Sequence, residues 1–204
     1  MAQEFFDRAY KTTEQKDVKS LYKDWAETYE EDVIGHGYAS PARCAAALSK
    51  FLTPKDAPIF DFACGTGLSG LALSKVGFTV IDGADISPEM LQTAKARGIY
   101  RDLTLAEPDA PPSILPGDYA AITAIGAISP GAAPAIYLDH LIRRLAPGGL
   151  IAFSYNDHTL ADARYTDQLA SQLSSGAVRE LFQEEGDHLS ELGSKSIVYV
   201  LEKI

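Results

Sequence analysis

The chain has 204 residues, of which 46% are hydrophobic and 23% charged, a balance typical of a globular domain. This length fits one domain with a full core and a small helical cap. The formal net charge of −10 disfavours a nucleic-acid substrate, because an acidic surface repels phosphate and the lysines and arginines form no basic patch. No apolar run reaches the roughly 20 residues of a membrane-spanning helix, so no membrane association is expected.

Cysteine and histidine usage argues against a disulfide scaffold and a metal site. Cys44 and Cys64 are too few for a secreted disulfide-rich protein, so we expect both to be reduced in a cytoplasmic protein. The four histidines lie far apart in sequence, without the close ligand spacing of a metal site. No metal is therefore expected.

The first elements in the chain are two helices. Apolar residues at helical spacing predict a helix over residues 18–31, with Tyr22, Trp25 and Tyr29 on one face. Ser40 and Pro41 predict the start of a second helix that runs to about residue 51, with Ser40 as its N-cap. We expect residues 1–53 to form a helical cap within the same domain as the core.

From residue 54 onward, strands alternate with helices. The predicted strands cover residues 59–63, 78–84, 99–106, 119–125, 150–155, 178–182 and 196–202. The predicted helices cover residues 68–75, 87–97, 134–145 and 160–173. This order predicts an α/β fold with a doubly wound, mostly parallel, Rossmann-like sheet of seven strands in residues 54–204. No clear helix separates the last two strands, so we expect them to form an antiparallel hairpin.

A glycine-rich loop follows the first predicted strand and precedes a helix. Its sequence, D-F-A-C-G-T-G-L-S-G, covers residues 61–70. Gly65 and Gly67 lack the β-carbons that would keep a ligand away, and the helix start offers free N–H groups. In a doubly wound sheet this turn is where a ligand binds.

Two classes of cofactor fit this loop. Gly65, Gly67 and Gly70 match G-x-G-x-x-G, which is also the pattern of nicotinamide dinucleotide sites. Asp85, at the end of the second strand, can accept hydrogen bonds from ribose hydroxyls and suits either cofactor. Asp61 favours the other class, since a buried acid repels a pyrophosphate but attracts the sulfonium and ammonium groups of S-adenosylmethionine.

Several ordered motifs carry a resemblance to a known family. They are I-F-D-F-A-C-G-T-G-L-S-G, I-D-G-A-D-I-S-P-E-M-L and L-A-P-G-G-L-I-A-F-S, with Y-x-x-W-A-x-x-Y-E-x-D-V and G-Y-x-S-P before them. The chain resembles class I S-adenosylmethionine-dependent methyltransferases. In its finer pattern it is similar to the family named after the Williams–Beuren syndrome region and to bacterial relatives. The match covers residues 20–155 and fades after them.

The resemblance implies a set of cofactor contacts. Gly65 and Gly67, with Thr66 between them, would lie under the methionine portion, and Asp85 would hold the ribose. Gly126, after the fourth strand, would face the cofactor sulfur. The remaining implied contacts are side chains at the adenine, Ile86, Met90 and Glu107, and the aromatic lid, Tyr22, Trp25 and Tyr29. These side chains have plainer alternatives, because the aromatic and aliphatic ones could pack a core and Glu107 could be a solvated loop acid.

The expected activity is methyl transfer to a small molecule. The reaction needs a general base only if the acceptor loses a proton, and His36 and His158 are the candidate bases. The segment after the fourth strand lacks the Asp/Asn-Pro-Pro-Tyr/Phe motif of amino-methyltransferases that act on adenine or on glutamine amides. Two alternatives stay open, a nicotinamide-dependent oxidoreductase and a non-catalytic module that binds the cofactor. Oligomeric state is not determined by these patterns.

Overall fold

The computed structural model describes residues 15–25, 28–108, 110 and 112–204. Its centre is a seven-stranded sheet in the order β3-β2-β1-β4-β5-β7-β6. Strands β1 to β5 are parallel, whereas β7 is antiparallel to both β5 and β6. The strands are β1 (Ile59–Phe62), β2 (Ile81–Asp85), β3 (Asp102–Leu105), β4 (Ala121–Ala124), β5 (Leu150–Asn156), β6 (Val178–Leu189) and β7 (Ser194–Lys203). The predicted fold class and the antiparallel final hairpin are confirmed.

Helices cover the sheet on both faces. They are α1 (Gln15–Trp25), α2 (Tyr29–Gly35), α3 (Ser40–Ser49), α4 (Leu68–Lys75), α5 (Pro88–Ala96), α6 (Tyr137–Arg143), α7 (Asp157–Leu160) and α8 (Ala163–Ser174), and a short 3₁₀ turn spans Ser190–Leu192. One apolar cluster joins the sheet to α6 and α8, and a second joins it to α3 and α4. Parallel strands buried on both faces explain why the central strands are nearly continuous apolar runs.

The predicted helix over residues 18–31 is two helices, α1 and α2. A turn at Thr28 separates them, and the Asp32 carboxylate accepts hydrogen bonds from Trp25 Nε1 at 2.7 Å and from Thr28 Oγ1 at 3.1 Å. These side-chain bonds join the end of α1 to α2. The predicted helix over residues 160–173 is also divided, because Asp162 accepts the Arg164 N–H as an N-cap and starts α8.

Ser40 is the first residue of α3 and not its N-cap, a position that Ala39 takes. The Ser40 hydroxyl instead hydrogen-bonds across the fold to His188 and Ser196. The strand predicted over residues 178–182 extends to Leu189, because β7 pairs with β6 along its whole length. Tertiary pairing therefore produces a strand where the acidic sequence of residues 183–187 shows no apolar alternation.

The N-terminal helices do two different things. Cys44, Ala45 and Leu48 of α3 are fully buried against the sheet, so α3 is part of the core packing. Residues of α1 and α2 line a cavity at the carboxyl ends of the parallel strands. No helix in the described part of the chain is long and apolar enough to cross a membrane.

Candidate cofactor and acceptor site

The glycine loop leaves β1 in left-handed backbone conformations. Ala63, Gly65 and Gly67 have φ values of 51°, 54° and 88°. A β-carbon built on Gly65 would meet no atom within 4 Å, so this glycine faces open space. The backbone at Gly65 is therefore a point where a ligand can come close.

The other two glycines of the motif serve packing. A β-carbon on Gly67 would lie 3.1 Å from the side chains of Arg97 and Tyr100, and one on Gly70 would lie 2.4 Å from the Tyr100 hydroxyl. Gly67 does not line the cavity. In the G-x-G-x-x-G pattern, Gly65 thus faces the ligand space. Gly67 and Gly70 let α4 pack against the segment after α5.

Asp85 ends β2 beside the loop. Its Oδ2 accepts the Gly65 N–H at 2.9 Å and its Oδ1 accepts the Ser87 N–H at 2.9 Å. Burial raises the pKa of the Asp85 carboxyl, while these N–H donors act in the opposite direction. Each carboxylate oxygen retains a second lone pair, so Asp85 can accept two ligand hydroxyls without losing its backbone bonds.

Asp61 is fully buried beneath the loop and does not line the cavity. Its carboxylate accepts hydrogen bonds from Ser69 at 2.5 Å, from Tyr100 at 2.7 Å and from Thr123 at 2.7 Å. Burial raises its pKa, and the three hydroxyls oppose that shift. Asp61 therefore joins α4, β4 and the segment that contains Tyr100. Any electrostatic attraction between Asp61 and a cationic ligand acts at a distance and not by contact.

One cavity brings most of the predicted contacts together. It has a volume of about 970 Å³, counting the part open to solvent. We call it the main cavity. The predicted residues that line it are Tyr22, Tyr29, Gly65, Thr66, Asp85, Ile86, Met90, Glu107 and Gly126. Trp25 and Gly67 lie outside it.

The lining of the main cavity is mostly apolar with a few polar groups. Phe62, Ala84 and Met90 are buried apolar lining residues, and Glu107 is exposed at the rim. Thr66 Oγ1 is buried and has no hydrogen-bond partner among the described residues. A buried hydroxyl without a partner costs free energy, so a ligand that bonds Thr66 would be stabilised there.

Arg97 holds the loop to the N-terminal helices. Its Nε donates to the Thr66 carbonyl at 2.7 Å, and its guanidinium forms an ion pair with Glu30 of α2. Both side chains are largely shielded from solvent, with exposed fractions of 18% and 31%. One side chain therefore fixes both the glycine loop and the helix above it.

The comparisons with known proteins agree with this geometry. Residues 36–198 match the family model described as a methyltransferase domain. The chain belongs to the methyltransferase-domain family. The predicted resemblance to class I methyltransferases is thereby confirmed, and the cofactor of the family is S-adenosylmethionine.

Two relatives are similar in sequence. Human methyltransferase-like protein 27 is 34% identical over 156 residues, which are 75% of this chain and 63% of that protein. The ribosomal protein L11 methyltransferase of Aliivibrio salmonicida is 31% identical over 147 residues, which are 64% of this chain and 47% of that protein. The chain thus spans less than two thirds of either relative.

Among the solved structures that share the fold are two that cover nearly the whole chain. The [4+2]-cyclase SpnF superposes with a TM-score of 0.71 at 15% identity, covering 94% of this chain and 97% of that one. Magnesium protoporphyrin IX methyltransferase from Synechocystis, with bound S-adenosylmethionine, gives a TM-score of 0.68 at 13% identity, covering 92% and 97%. At these identities the likeness concerns the fold alone.

The methyltransferase domain has a second cavity beside the main one. It has a volume of about 510 Å³, counting the part open to solvent. We call it the aromatic cavity. Its lining residues are Tyr22, Trp25, Tyr29, Val33, Tyr38, Gly126, Ser129, Pro130, Asn156, His188 and Leu189. Tyr22, Tyr29, Tyr38 and Gly126 line both cavities, so the two cavities adjoin.

The predicted aromatic lid forms one wall of the aromatic cavity. The Trp25 and Tyr29 rings pack edge to face at 5.0 Å, and Tyr22 stacks on Trp25 at 6.0 Å. Trp25 is 2% exposed and packs with Leu21, Val33 and Leu189. The aromatic stripe is therefore both a small core and a cavity wall.

The predicted candidate bases, His36 and His158, line neither cavity. His36 Nδ1 lies 2.5 Å from the Asp32 carbonyl at the end of α2, and His158 is exposed on α7. His188 lies in the aromatic cavity, on the strand extension that the sequence did not predict. Its ring packs edge to face with Tyr38 at 5.3 Å.

Burial lowers the pKa of His188 to about 4, with smaller contributions from Asp157, which raises it, and from Arg43 and His158, which lower it. The native state therefore binds fewer protons than the unfolded state between pH 6.5 and 4. We expect this contribution to stability to be complete above pH 6.5 and to be lost as pH falls towards 4, by up to about 3 kcal/mol. In denaturant titrations between pH 6.5 and 4, His188→Asn should lose less free energy of unfolding than the wild-type protein. Equal losses in the two proteins would contradict the lowered pKa of His188.

Sequence reasoning missed Tyr38, Ser40, Arg97 and His188. The G-Y-x-S-P motif contains the first two, and the sequence predicts only an N-cap role for Ser40, which in the structure belongs to Ala39. No local pattern points to Arg97 or His188. Arg97 lies at the end of a helix, and His188 lies near the end of a strand whose pairing is entirely non-local.

Proposed function

We propose that this chain catalyses methyl transfer from S-adenosylmethionine to a small-molecule acceptor. The observation that carries the proposal is the arrangement of Asp85, Gly65 and Thr66 around one cavity at the β1–β4 switch point of the sheet. Asp85 has lone pairs for further hydrogen bonds, the Gly65 backbone is open to close approach, and the buried Thr66 hydroxyl has no partner among the described residues. Together they match a ligand that carries ribose hydroxyls and an amino-acid portion.

S-adenosylmethionine supplies an activated methyl group on a sulfonium. In the proposed arrangement Asp85 accepts the ribose hydroxyls, Ile86 and Met90 contact the adenine, and Glu107 lies at its amine. The glycine loop, with Gly65 and Thr66, binds the methionine portion, and Gly126 faces the sulfur. Positive charge disappears from sulfur during transfer, so holding donor and acceptor together without water supplies most of the rate, on the order of 7–11 kcal/mol.

The N-terminal segment completes the site. The sequence predicts the cap in residues 1–53, but α3 packs in the core and residues 1–14 lie outside the described part of the chain. We propose that α1 and α2 act as the cap, with Tyr22, Trp25 and Tyr29 separating the reaction from solvent. The Arg97 ion pair with Glu30 would hold this cap to the glycine loop. A covered site of this kind favours a small acceptor over a protein or a nucleic acid. The net charge of −10 further disfavours a nucleic-acid acceptor. A cytoplasmic location fits the free thiols of Cys44 and Cys64.

A labelling experiment tests the acceptor class. The purified protein is incubated with S-adenosylmethionine carrying a radioactive methyl group and with a cell extract divided by ultrafiltration. We expect label in the small-molecule fraction, and none with Asp85→Ala. Label confined to the protein fraction would contradict a small acceptor and point to a substrate class like that named for the ribosomal protein L11 methyltransferase. Cofactor binding without label anywhere would favour the non-catalytic alternative.

A further inference from the structure

His188, which lines the aromatic cavity, ends a buried hydrogen-bond chain whose direction is fixed at its other end. An Arg43 guanidinium nitrogen donates to Ser196 Oγ at 2.9 Å, Ser196 Oγ lies 3.0 Å from Ser40 Oγ, and Ser40 Oγ lies 2.8 Å from His188 Nδ1. Ser40 and Ser196 are fully buried. Arginine has no acceptor, so it can only donate.

Counting protons along this chain assigns the His188 tautomer. Ser196 accepts from Arg43 and has one hydrogen, whose available partner among the described residues is Ser40 Oγ. Ser40 then donates its single hydrogen to His188 Nδ1. The reverse order leaves the buried Ser196 hydrogen without a partner, which costs free energy. A neutral imidazole that accepts at Nδ1 carries its hydrogen on Nε2.

His188 therefore brings an N–H donor to a cavity whose walls are partly aromatic and apolar and partly polar, with Ser129 and Asn156 among the lining residues. Nε2 makes no hydrogen bond to any residue that the structure describes. The packed rings of Tyr22, Trp25 and Tyr29 form one wall of this cavity, and planar molecules bind aromatic walls by stacked and edge-to-face contacts. Arg43, linked to His188 through the serines, adds positive charge behind the donor.

The aromatic cavity also adjoins the main cavity at the residue proposed to face the sulfur. Gly126 lines both cavities, and a β-carbon on it would lie 2.5 Å from the Tyr38 hydroxyl, so a larger residue there would have to displace the Tyr38 side chain. A ligand in the aromatic cavity is therefore next to the position at which the methyl group would be presented.

We propose, building on the methyl-transfer function above, that the aromatic cavity binds the methyl acceptor. This acceptor is a planar aromatic oxyanion, and its oxygen accepts a hydrogen bond from His188 Nε2. The oxygen lone pair forms the new O–CH₃ bond while the S–CH₃ bond breaks and its electron pair stays on sulfur. The products are a neutral methyl ester or ether and S-adenosylhomocysteine. No proton is transferred, so no general base is needed, and the opposite charges of the oxyanion and the sulfonium neutralise each other.

Trp25 allows this to be measured directly, because it is the single tryptophan of the chain and lines the cavity. The protein is saturated with S-adenosylhomocysteine, and its fluorescence is followed while benzoate or para-nitrophenolate is added. Cyclohexanecarboxylate lacks the planar ring and benzyl alcohol lacks the charge, so they serve as controls. We expect saturable changes with at least one aromatic oxyanion, and at least tenfold weaker binding of both controls.

Three variants locate the binding. Ser129→Leu adds bulk to the wall of the aromatic cavity alone and should abolish the response. His188→Asn can still accept from Ser40 but has no donor at the Nε2 position, and should weaken oxyanion binding about 10- to 100-fold. His188→Gln, whose longer amide reaches towards that position, should restore most of the affinity. Ring ¹⁵N shifts should show hydrogen on Nε2 in the free protein and a raised His188 pKa with benzoate bound.

The outcomes separate this proposal from the function on which it depends. A response to benzoate alone identifies a carboxylate acceptor and ester formation, and a response to para-nitrophenolate alone identifies a phenolate acceptor and ether formation. Binding of S-adenosylhomocysteine without any response to either oxyanion overturns the acceptor class and leaves the cofactor assignment standing. Unchanged oxyanion affinity in His188→Asn, or hydrogen on Nδ1, overturns the role of His188. Absence of S-adenosylhomocysteine binding overturns both proposals.

Discussion

Replacing Asp85 with alanine should weaken S-adenosylmethionine binding about 100-fold or more. The substitution removes a carboxylate that we place on two ribose hydroxyls, and each hydrogen bond to a charged group contributes about 1.5–3 kcal/mol. It also removes the acceptor of the Gly65 N–H, which holds the glycine loop against β2. Calorimetric titration with S-adenosylmethionine measures the loss.

Asp82→Ala is the matched control for Asp85→Ala. Asp82 lies on the same strand and is 6% exposed against 8% for Asp85, but its carboxylate pairs with Arg101 and Tyr119 away from the cavity. This variant should lose thermal stability and keep the wild-type affinity for the cofactor. If the two variants lose affinity equally, Asp85 acts through the fold and not through contact with the ribose.

Replacing Gly65 with valine should abolish cofactor binding while the protein stays folded. The β-carbon position at Gly65 has no atom within 4 Å, so the new side chain would start in the open space of the cavity. The left-handed backbone at a φ of 54° adds a cost of about 1–2 kcal/mol to folding. Circular dichroism melting and calorimetry together measure both effects.

Gly98→Val separates backbone strain from blocked binding. Gly98 has a φ of 65° and an equally open β-carbon position, but it lies after α5 and outside both cavities. We expect its melting temperature to fall as far as that of Gly65→Val with cofactor affinity unchanged. Wild-type cofactor affinity in Gly65→Val would contradict the close approach of a ligand at this position.

The sequence predicted the sheet, and most of its candidate cofactor residues lie around one cavity, because both follow from local patterns. Short apolar runs, the glycine loop and an acid at the end of the next strand follow directly from the geometry of a βαβ unit. Nine of the eleven predicted cofactor contacts line the main cavity. Gly67 differs because Arg97 and Tyr100 occupy the space beside it, which no local pattern reveals.

The proposed acceptor site could not be predicted, because it depends on contacts distant in sequence. Ser40 meets His188 across 148 residues, and β6 reaches His188 only through its pairing with β7. The acidic stretch before His188 has no strand periodicity, so the histidine was assigned no role. His36 and His158 were favoured as bases for their places in the chain, and the fold directs neither into a cavity.

Calorimetric titration of the wild-type chain with S-adenosylmethionine, S-adenosylhomocysteine, NAD(H) and NADP(H) tests the central claim most directly. We expect micromolar binding of the first two and no heat from the nicotinamide nucleotides, because the main cavity offers Asp85 for the ribose and places the buried acid Asp61 behind the glycine loop. Clear binding of a nicotinamide nucleotide, with none of S-adenosylmethionine or S-adenosylhomocysteine, would contradict the account and assign the glycine loop to a dehydrogenase.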